Sequence, residues 1–94
     1  MNGMPSIELL ESGHVFPGPY MFKVIGKTEN GFVGRTVAAV RDALAAEVDP
    51  PYSVRETNGG RYASVTVEAE VQTAEEVLTV YRRLHQLVGL VLLW

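Results

Sequence analysis

Cysteine is absent from the 94 residues of the chain, and so is any long apolar run. Without cysteine the chain can form no disulfide and no thiolate metal or redox site, a composition typical of a reducing compartment. No segment approaches the roughly 18 consecutive apolar residues of a membrane span, and no basic segment precedes an apolar one at the N-terminus. We therefore expect a cytoplasmic protein with no membrane partner.

Positive charge is scarce as well. Eight Lys and Arg residues stand against eleven Asp and Glu residues, which gives a formal net charge of -3. Proteins that bind nucleic acid mainly through its phosphates carry the opposite excess. The two histidines, His14 and His85, are far apart in the sequence and have no carboxylate at ligand spacing. We expect no nucleic-acid partner, no metal and no cofactor.

Apolar residues in the first half of the chain predict one strand and one helix. Two prolines and a glycine in residues 16–19 break any helix, and the apolar residues after them predict a strand over 20–25. Over residues 30–47, apolar residues recur at steps of three and four, the spacing of an amphipathic helix. This helix should end before Pro50, because a residue that precedes proline disfavours the helical conformation.

The second half of the chain predicts a hairpin, a helix and a final strand. Strands over 52–57 and 60–71 flank an Asn-Gly pair, which is typical of a two-residue type I′ turn. Thr73 and Glu76 form a capping box at the start of a helix that should end near Gly89. The last five residues are too few for a helix and enough for a strand.

The order of these elements is strand, helix, strand, strand, helix, strand. A right-handed crossover between the first and third strands, together with the hairpin, gives the α+β ferredoxin-like fold βαββαβ. This fold has a four-stranded antiparallel sheet in the order 4-1-3-2 with two helices on one face. We predict one such domain over residues 16–94. Residues 1–15 contain only a short apolar patch, too short for an isolated helix, and we expect a flexible N-terminal arm.

Short ordered strings carry a resemblance to a known family. They are Phe16-Pro17, Phe22-Lys23-Val24-Ile25-Gly26, Gly60-Arg61-Tyr62-Ala63, Glu76-Val77 and the apolar ending. Over residues 16–94 the chain resembles the uncharacterised small bacterial family typified by YbeD. The resemblance implies a cytosolic protein similar in fold to the ACT domain, a small regulatory module that commonly pairs and binds amino acids. It carries over no catalytic residue.

Asn30, Gly31 and Phe32 form the candidate ligand site. This string resembles the start of the first helix in ACT domains, where small ligands often lie near the pairing partner. The free backbone N–H groups of a helix start can also accept a carboxylate or phosphate. We therefore expect this loop to be the place where a small molecule such as an amino acid would bind. The alternative is that Asn30 or Thr28 merely caps the helix.

Two other functions use ferredoxin-like sheets. RNA-binding domains stack bases on aromatic side chains, whereas the outward positions after Tyr62 are Ser64, Thr66 and two glutamates. Small acylphosphatases hold an anion with an arginine at the helix start and a strand asparagine. Arg35 lies about one turn too late for that role, and Asn58 lies in the hairpin turn. RNA binding, and after it an acylphosphatase-like activity, stay alternatives to our prediction that the protein is not an enzyme.

The last strand is the candidate interface. A ferredoxin-like sheet leaves this strand at an edge with unpaired N–H and C=O groups, and residues 90–94 contain no charge and no proline to prevent pairing. Strict alternation places either Leu90, Leu92 and Trp94 or Val91 and Leu93 on the helix-free face, beside Met21 and Ile25. An apolar strip beside open backbone is typical of an interface.

These residues lead to a functional prediction. We expect a non-catalytic regulatory or protein-interaction module that forms a homodimer or binds a protein partner through the last strand and the helix-free face. The opposite edge strand contains Arg55 and Glu56, and charges on an edge strand disfavour its pairing with another chain. The alternative is a monomer in which the N-terminal arm folds back and covers the strip with Ile7, Leu9 and Leu10.

Overall fold

The computed structural model of the chain describes residues 4–94, which form one sheet and three α-helices. The elements are α1 Ile7–Gly13, β1 Gly18–Lys27, α2 Phe32–Ala43, β2 Tyr52–Glu56, β3 Tyr62–Val71, α3 Ala74–His85 and β4 Leu90–Leu93. The strands are antiparallel in the order β2-β3-β1-β4. This is the predicted order 4-1-3-2 read from the other edge, so the α+β ferredoxin-like fold is confirmed.

The core lies between the sheet and the helices α2 and α3. β1 and β3 pair over ten residues, from Gly18 opposite Val71 to Lys27 opposite Tyr62. Alternate side chains of both strands are buried against the helices, and those between them point to the helix-free face. The buried set includes Phe22, Val24, Val65, Val67 and Val71 from the sheet and Phe32, Val37, Val40, Val77, Val80 and Leu84 from the helices.

The helix α3 begins at the predicted capping box. The Thr73 hydroxyl accepts a hydrogen bond from the Glu76 N–H group at 3.2 Å, and the Glu76 carboxylate accepts one from the Gln72 N–H group at 2.7 Å. The first bond satisfies an N–H group that the helix start would otherwise leave unpaired, and the second pairs the N–H group of the residue before the cap. The helix ends at His85, four residues before Gly89, so its predicted end was too late.

Gly26 allows β1 to pack closely on α2. A Cβ atom at this position would lie 2.1 Å from Cζ of Phe32, far inside van der Waals contact. The Phe32 ring fills that space and is only 1% exposed. The same ring lies close to Gly89, so it is also packed under the turn that precedes β4.

Two local predictions were wrong. The helix α2 ends at Ala43 rather than near residue 47, because Ala45 adopts a left-handed conformation with φ 53°, and Val48 is exposed instead of joining the core. The hairpin has five residues between its strands rather than a two-residue turn. A short 3-10 turn over Asn58–Gly60, with positive φ of 83° and 69° at Gly59 and Gly60, takes the place of the two-residue type I′ turn.

The sequence did not predict the helix α1. Its first turn is capped by the Ser6 hydroxyl, which accepts a hydrogen bond from the Leu9 N–H group at 3.1 Å. Leu10 is 3% exposed and belongs to the core cluster, and α1 contacts α3. A helix of seven residues gains its stability from such tertiary contact rather than from its own propensity. The domain boundary at residue 15 stays a prediction, and residues 1–3 of the arm lie outside the described residues.

Residues 4–94 contain neither a membrane-spanning helix nor a metal-binding cluster. In that part of the chain no helix has both the length and the apolar character to cross a bilayer. Within the same residues, no three His, Asp or Glu side chains converge in a way that could hold a metal ion.

Candidate interaction site

β4 lies at the edge of the sheet and pairs with β1 through a bulge. Ile25 lies opposite Leu92, but the next residue of β1, Gly26, lies opposite Leu90, so Val91 is an extra residue in β4. Beyond the strand, Lys23 and Trp94 exchange two backbone hydrogen bonds of 3.0 and 3.1 Å.

The bulge changes which side chains share a face. Leu90 and Leu93 lie opposite Gly26 and Val24, on the helix side, where both are half-buried against the core. Leu92 lies on the helix-free face with Ile25. Strict alternation through the strand, the basis of both arrangements considered from the sequence, therefore does not hold.

The helix-free face near β4 is apolar. Four residues lie there, Met21, Ile25, Leu92 and Trp94, and Val91 projects from the bulge beside them; we call these five the apolar strip. Met21, Val91, Leu92 and Trp94 are each about half exposed, between 48% and 54%. Of the seven predicted interface residues, the structure thus brings five together and places Leu90 and Leu93 against the core.

The backbone beside this strip is open. Because Lys23 and Trp94 exchange both hydrogen bonds, the N–H and C=O groups of Leu93 point away from β1. The β4 ladder stops at Trp94, so Met21, two residues before Lys23, faces the same side with no neighbouring strand in the described chain. The open edge therefore runs from β4 onto β1.

The described part of the N-terminal segment, residues 4–15, does not cover the strip. α1 contacts α3, and the His14 ring lies 4.8 Å from the ring of Tyr20. Tyr20 lies on the helix side of β1, because its side chain shares the parity of Phe22, which is fully buried. Residues 4–15 therefore pack on the opposite side of the sheet from the strip.

One cation, Lys23, and one anion, Glu68, border the strip. Nζ of Lys23 lies 5.6 Å from the centroid of the Trp94 ring, a cation–π contact within the strip. On the other side of Met21, the next strand carries Glu68 directly opposite. The same face therefore carries a cation near β4 and an anion near β3.

The other sheet edge, β2, differs from β4. All five of its residues are exposed, and Arg55 and Glu56 lie within the strand. Tyr52 and Val54 are also exposed, but their register opposite Val67 and Val65 places them on the helix side. The exposed apolar residues of β2 and β4 thus lie on opposite faces of the sheet.

The candidate ligand site lies in the loop between β1 and α2. Gly31 is the N-cap of α2, and no side chain caps it, so capping by Asn30 or Thr28 does not occur. Asn30 and Gly31 both have positive φ and are exposed, whereas Phe32 is buried. A cavity of about 320 Å³ beside this loop is lined by residues 27–29 and 59–62, and none of the three predicted ligand residues lines it. Ligand binding at this loop stays a prediction.

The Arg35 side chain forms hydrogen bonds with backbone carbonyl groups. Its guanidinium donates hydrogen bonds to the carbonyl oxygens of Asn30 at 2.9 Å, Val88 at 3.0 Å and Glu29 at 3.2 Å. Its Cζ also lies 5.7 Å from the centroid of the Phe32 ring. With its donors used in this way, Arg35 is poorly placed to bind an anion as an acylphosphatase-like arginine would. Sequence reasoning had weighed Arg35 only as such a ligand and had missed this role.

Among the residues that the structure describes, two side chains have perturbed pKa values, and both are remote from the strip. Burial, and then a hydrogen bond with the Tyr20 hydroxyl at 3.1 Å, raises the pKa of Tyr81. Hydrogen bonds to Asp42 and Asp49 raise the pKa of Arg41 on the exposed end of α2. Neither arrangement resembles an acid–base pair poised for catalysis.

The fold and this surface define a small ferredoxin-like protein with an open, uncharged sheet edge. A family model described as "Protein of unknown function (DUF493)" matches residues 11–92. UPF0250 proteins of Shewanella piezotolerans and Shewanella oneidensis are 32% and 30% identical over 82 residues, which are 87% of this chain and 86% of each relative. The chain belongs to this family, so the predicted membership of an uncharacterised small bacterial family is confirmed.

A solved structure supports the fold. The solution structure of protein HP0495 from H. pylori has a TM-score of 0.66, covers 98% of this chain and 97% of that one, and is 16% identical in sequence. At that identity the similarity extends to the fold alone. The family description names no activity, ligand or partner.

Proposed function

We propose that the protein is a non-catalytic interaction module that pairs with a second copy of itself through the β4 edge and the apolar strip. The observation that carries this proposal is the combination of outward backbone groups at Leu93 with half-exposed apolar side chains at Val91, Leu92 and Trp94. Apolar patches and unpaired strand edges are the two features by which sheets associate.

A second copy suits this edge better than a charged partner does. β4 contains no charged residue, so two β4 strands related by a twofold axis meet without like charges opposite each other. Four residues make few ladder bonds, so the strip must supply most of the buried area.

The interface area that such a dimer needs is moderate. A specific interface buries about 800 Å² on each partner. That is roughly one-seventh of the 5826 Å² accessible surface of the described chain. The small-ligand role suggested by the ACT resemblance is left out of this proposal, because Phe32 is buried and Arg35 binds the loop carbonyls.

Size-exclusion chromatography with light scattering tests the proposal. We expect the full chain to elute with twice the chain mass and the Leu92→Lys variant with the mass of one chain, because a lysine there places a charge in the strip. Val54→Lys is the matched control, since it adds the same charge to the opposite edge, and it should remain dimeric. A wild-type chain that stays monomeric at high concentration, or a Val54→Lys variant that dissociates as Leu92→Lys does, would contradict the proposal.

A further inference from the structure

In the turn before β4, the two residues between Leu87 and Leu90 contribute little side-chain packing of their own. Val88 is 75% exposed and Gly89, with φ 96°, has no side chain. The Gly89 carbonyl accepts a hydrogen bond from the Lys27 N–H group at 2.9 Å, and the Val88 carbonyl accepts one from Arg35 at 3.0 Å. The start of the proposed docking strand is therefore held by backbone groups and one guanidinium in addition to the packing of Leu90 on the core.

The same guanidinium holds the loop between β1 and α2. Two of its three hydrogen bonds go to Glu29 and Asn30, and the third goes to Val88. Within residues 4–94, Arg35 makes no ion pair with a carboxylate, and its side-chain hydrogen bonds go to carbonyl oxygens. A lysine could not replace it, because one ammonium group lacks the planar, forked set of donors that reaches three separate oxygens.

We propose that Arg35 is a positioning residue that couples the loop of residues 28–31 to the β4 edge and so regulates self-association. This inference rests on the proposed function. Movement of the loop pulls the guanidinium away from Val88 and loosens the first residues of β4, whereas pairing of β4 holds Val88 and steadies the loop. Such coupling is reciprocal, so each side must change the other by the same factor.

Amide hydrogen exchange in the monomeric Leu92→Lys background tests the coupling without requiring dimers. Adding Arg35→Gln should speed exchange at the Lys27 and Trp94 amides, which bond to Gly89 and Lys23, by about tenfold or more. Exchange at the Glu68 amide, which bonds to Pro51 near β2, should not change. Equal acceleration at all three amides would mean a general loss of stability and would overturn the proposal, as would no acceleration.

Two variants act as controls. Arg41→Gln removes an arginine from the same helix whose partners are the exposed carboxylates Asp42 and Asp49, and it should leave all three amides unchanged. Arg35→Lys keeps the charge and should restore less than half of the lost protection, because the fork is missing. Full protection in Arg35→Lys would show that charge alone suffices and would overturn the assignment.

Reciprocity gives a second readout in the wild-type chain. Dimer formation should slow exchange at the Arg35 amide, which bonds to the Gly31 carbonyl at 2.9 Å, relative to the Leu92→Lys monomer. Unchanged exchange there on dimerisation would contradict the coupling. If the wild type is monomeric, the proposed self-association fails, while the exchange result in the Leu92→Lys background still decides whether Arg35 positions β4.

Discussion

Replacing Gly26 with alanine tests how tightly β1 packs on α2. The new Cβ atom would lie 2.1 Å from Cζ of Phe32 and 2.4 Å from both of its Cε atoms. Carbon atoms in contact lie about 3.5–4.0 Å apart, so the ring would have to move by more than about 1 Å. The ring is 1% exposed, so it cannot move by that distance without displacing its packed neighbours. Gly26 does not have a positive φ, so alanine adds no backbone strain and the whole cost is steric.

The expected loss is large for a domain of this size. Overpacking a core costs about 1–3 kcal/mol, and the short distance places Gly26→Ala at about 2–3 kcal/mol. A domain of this length has a free energy of unfolding of about 5–14 kcal/mol. With about 4–8 °C per kcal/mol, the melting temperature should fall by about 10–20 °C. Urea denaturation followed by circular dichroism measures the change, with an unchanged m-value as the sign of a pure stability effect.

Two further variants identify the cause. Gly34→Ala is the control, because a Cβ atom there meets nothing within 4 Å and alanine has the higher helix propensity, so no loss of stability is expected. In Gly26→Ala combined with Phe32→Leu, the loss should fall short of the sum of the single losses by about 1 kcal/mol or more. A Gly26→Ala variant within about 0.5 kcal/mol of the wild type would refute the steric argument.

Three other predictions follow from single contacts. Thr73→Ala removes the helix cap that accepts from Glu76 and should lower the free energy of unfolding by about 1 kcal/mol in urea denaturation. Burial raises the pKa of Tyr81 above its ordinary value of 10.0, so stability should be complete below pH 10 and fall above it, by up to about 1.4 kcal/mol per pH unit, as the unfolded chain ionises first. Tyr81→Phe should remove that slope in melting curves recorded at alkaline pH. Leu10→Ala should cost about 2–5 kcal/mol in urea denaturation, because this side chain anchors α1 in the core.

Each of these has a matched control. Thr73→Ser should keep most of the cap, and a stable Thr73→Ala protein would argue against the capping box. Tyr52→Phe, at an exposed tyrosine of β2, should keep the alkaline slope, and an unchanged slope in Tyr81→Phe would assign the slope to other groups. Leu9→Ala, at an exposed position of α1, should cost little. If Leu10→Ala cost equally little, residues 1–15 would be the free arm that the sequence predicts.

The sheet order was predictable because its signals are local. The alternation along β3 and the capping box at Thr73 and Glu76 each depend on residues within one element. Once the order of elements was known, the handedness of crossovers left few topologies. The fold could therefore be predicted from the sequence, although the end of α2 and the hairpin turn were predicted wrongly.

The helix α1 could not be predicted because its stability comes from a distant element. Its seven residues are too few for an isolated helix, and the contact of Leu10 with the core depends on where α3 lies in the folded chain. The contacts of Arg35 with Val88 have the same origin, since 53 residues separate the two groups. The hydrophobic periodicity of a short sequence window cannot indicate contacts between residues that lie so far apart in the chain.

The bulge at Val91 explains why the facing of the side chains in the last strand could not be predicted. Five consecutive apolar residues give no polar position from which the facing of each side chain could be read. The bulge turns Leu90 and Leu93 to the core and leaves Leu92 and Trp94 on the helix-free face. The predicted strand order and the apolar ending were therefore enough to locate the open edge. Which side chains form the apolar strip depends on the bulge, which the sequence does not indicate.

The difference between the two sheet edges determines whether association would end at two copies or continue into an open chain of molecules. If β4 of one copy paired with β2 of the next, each copy would keep one free edge and an open chain of molecules would grow. That contact would place Arg55 and Glu56 beside an uncharged strand, and burying charges without partners is costly. Tyr52 and Val54 would also lie on the opposite face from Leu92, so the apolar surfaces would not join. Pairing of β4 with β4 avoids both problems and closes after two copies.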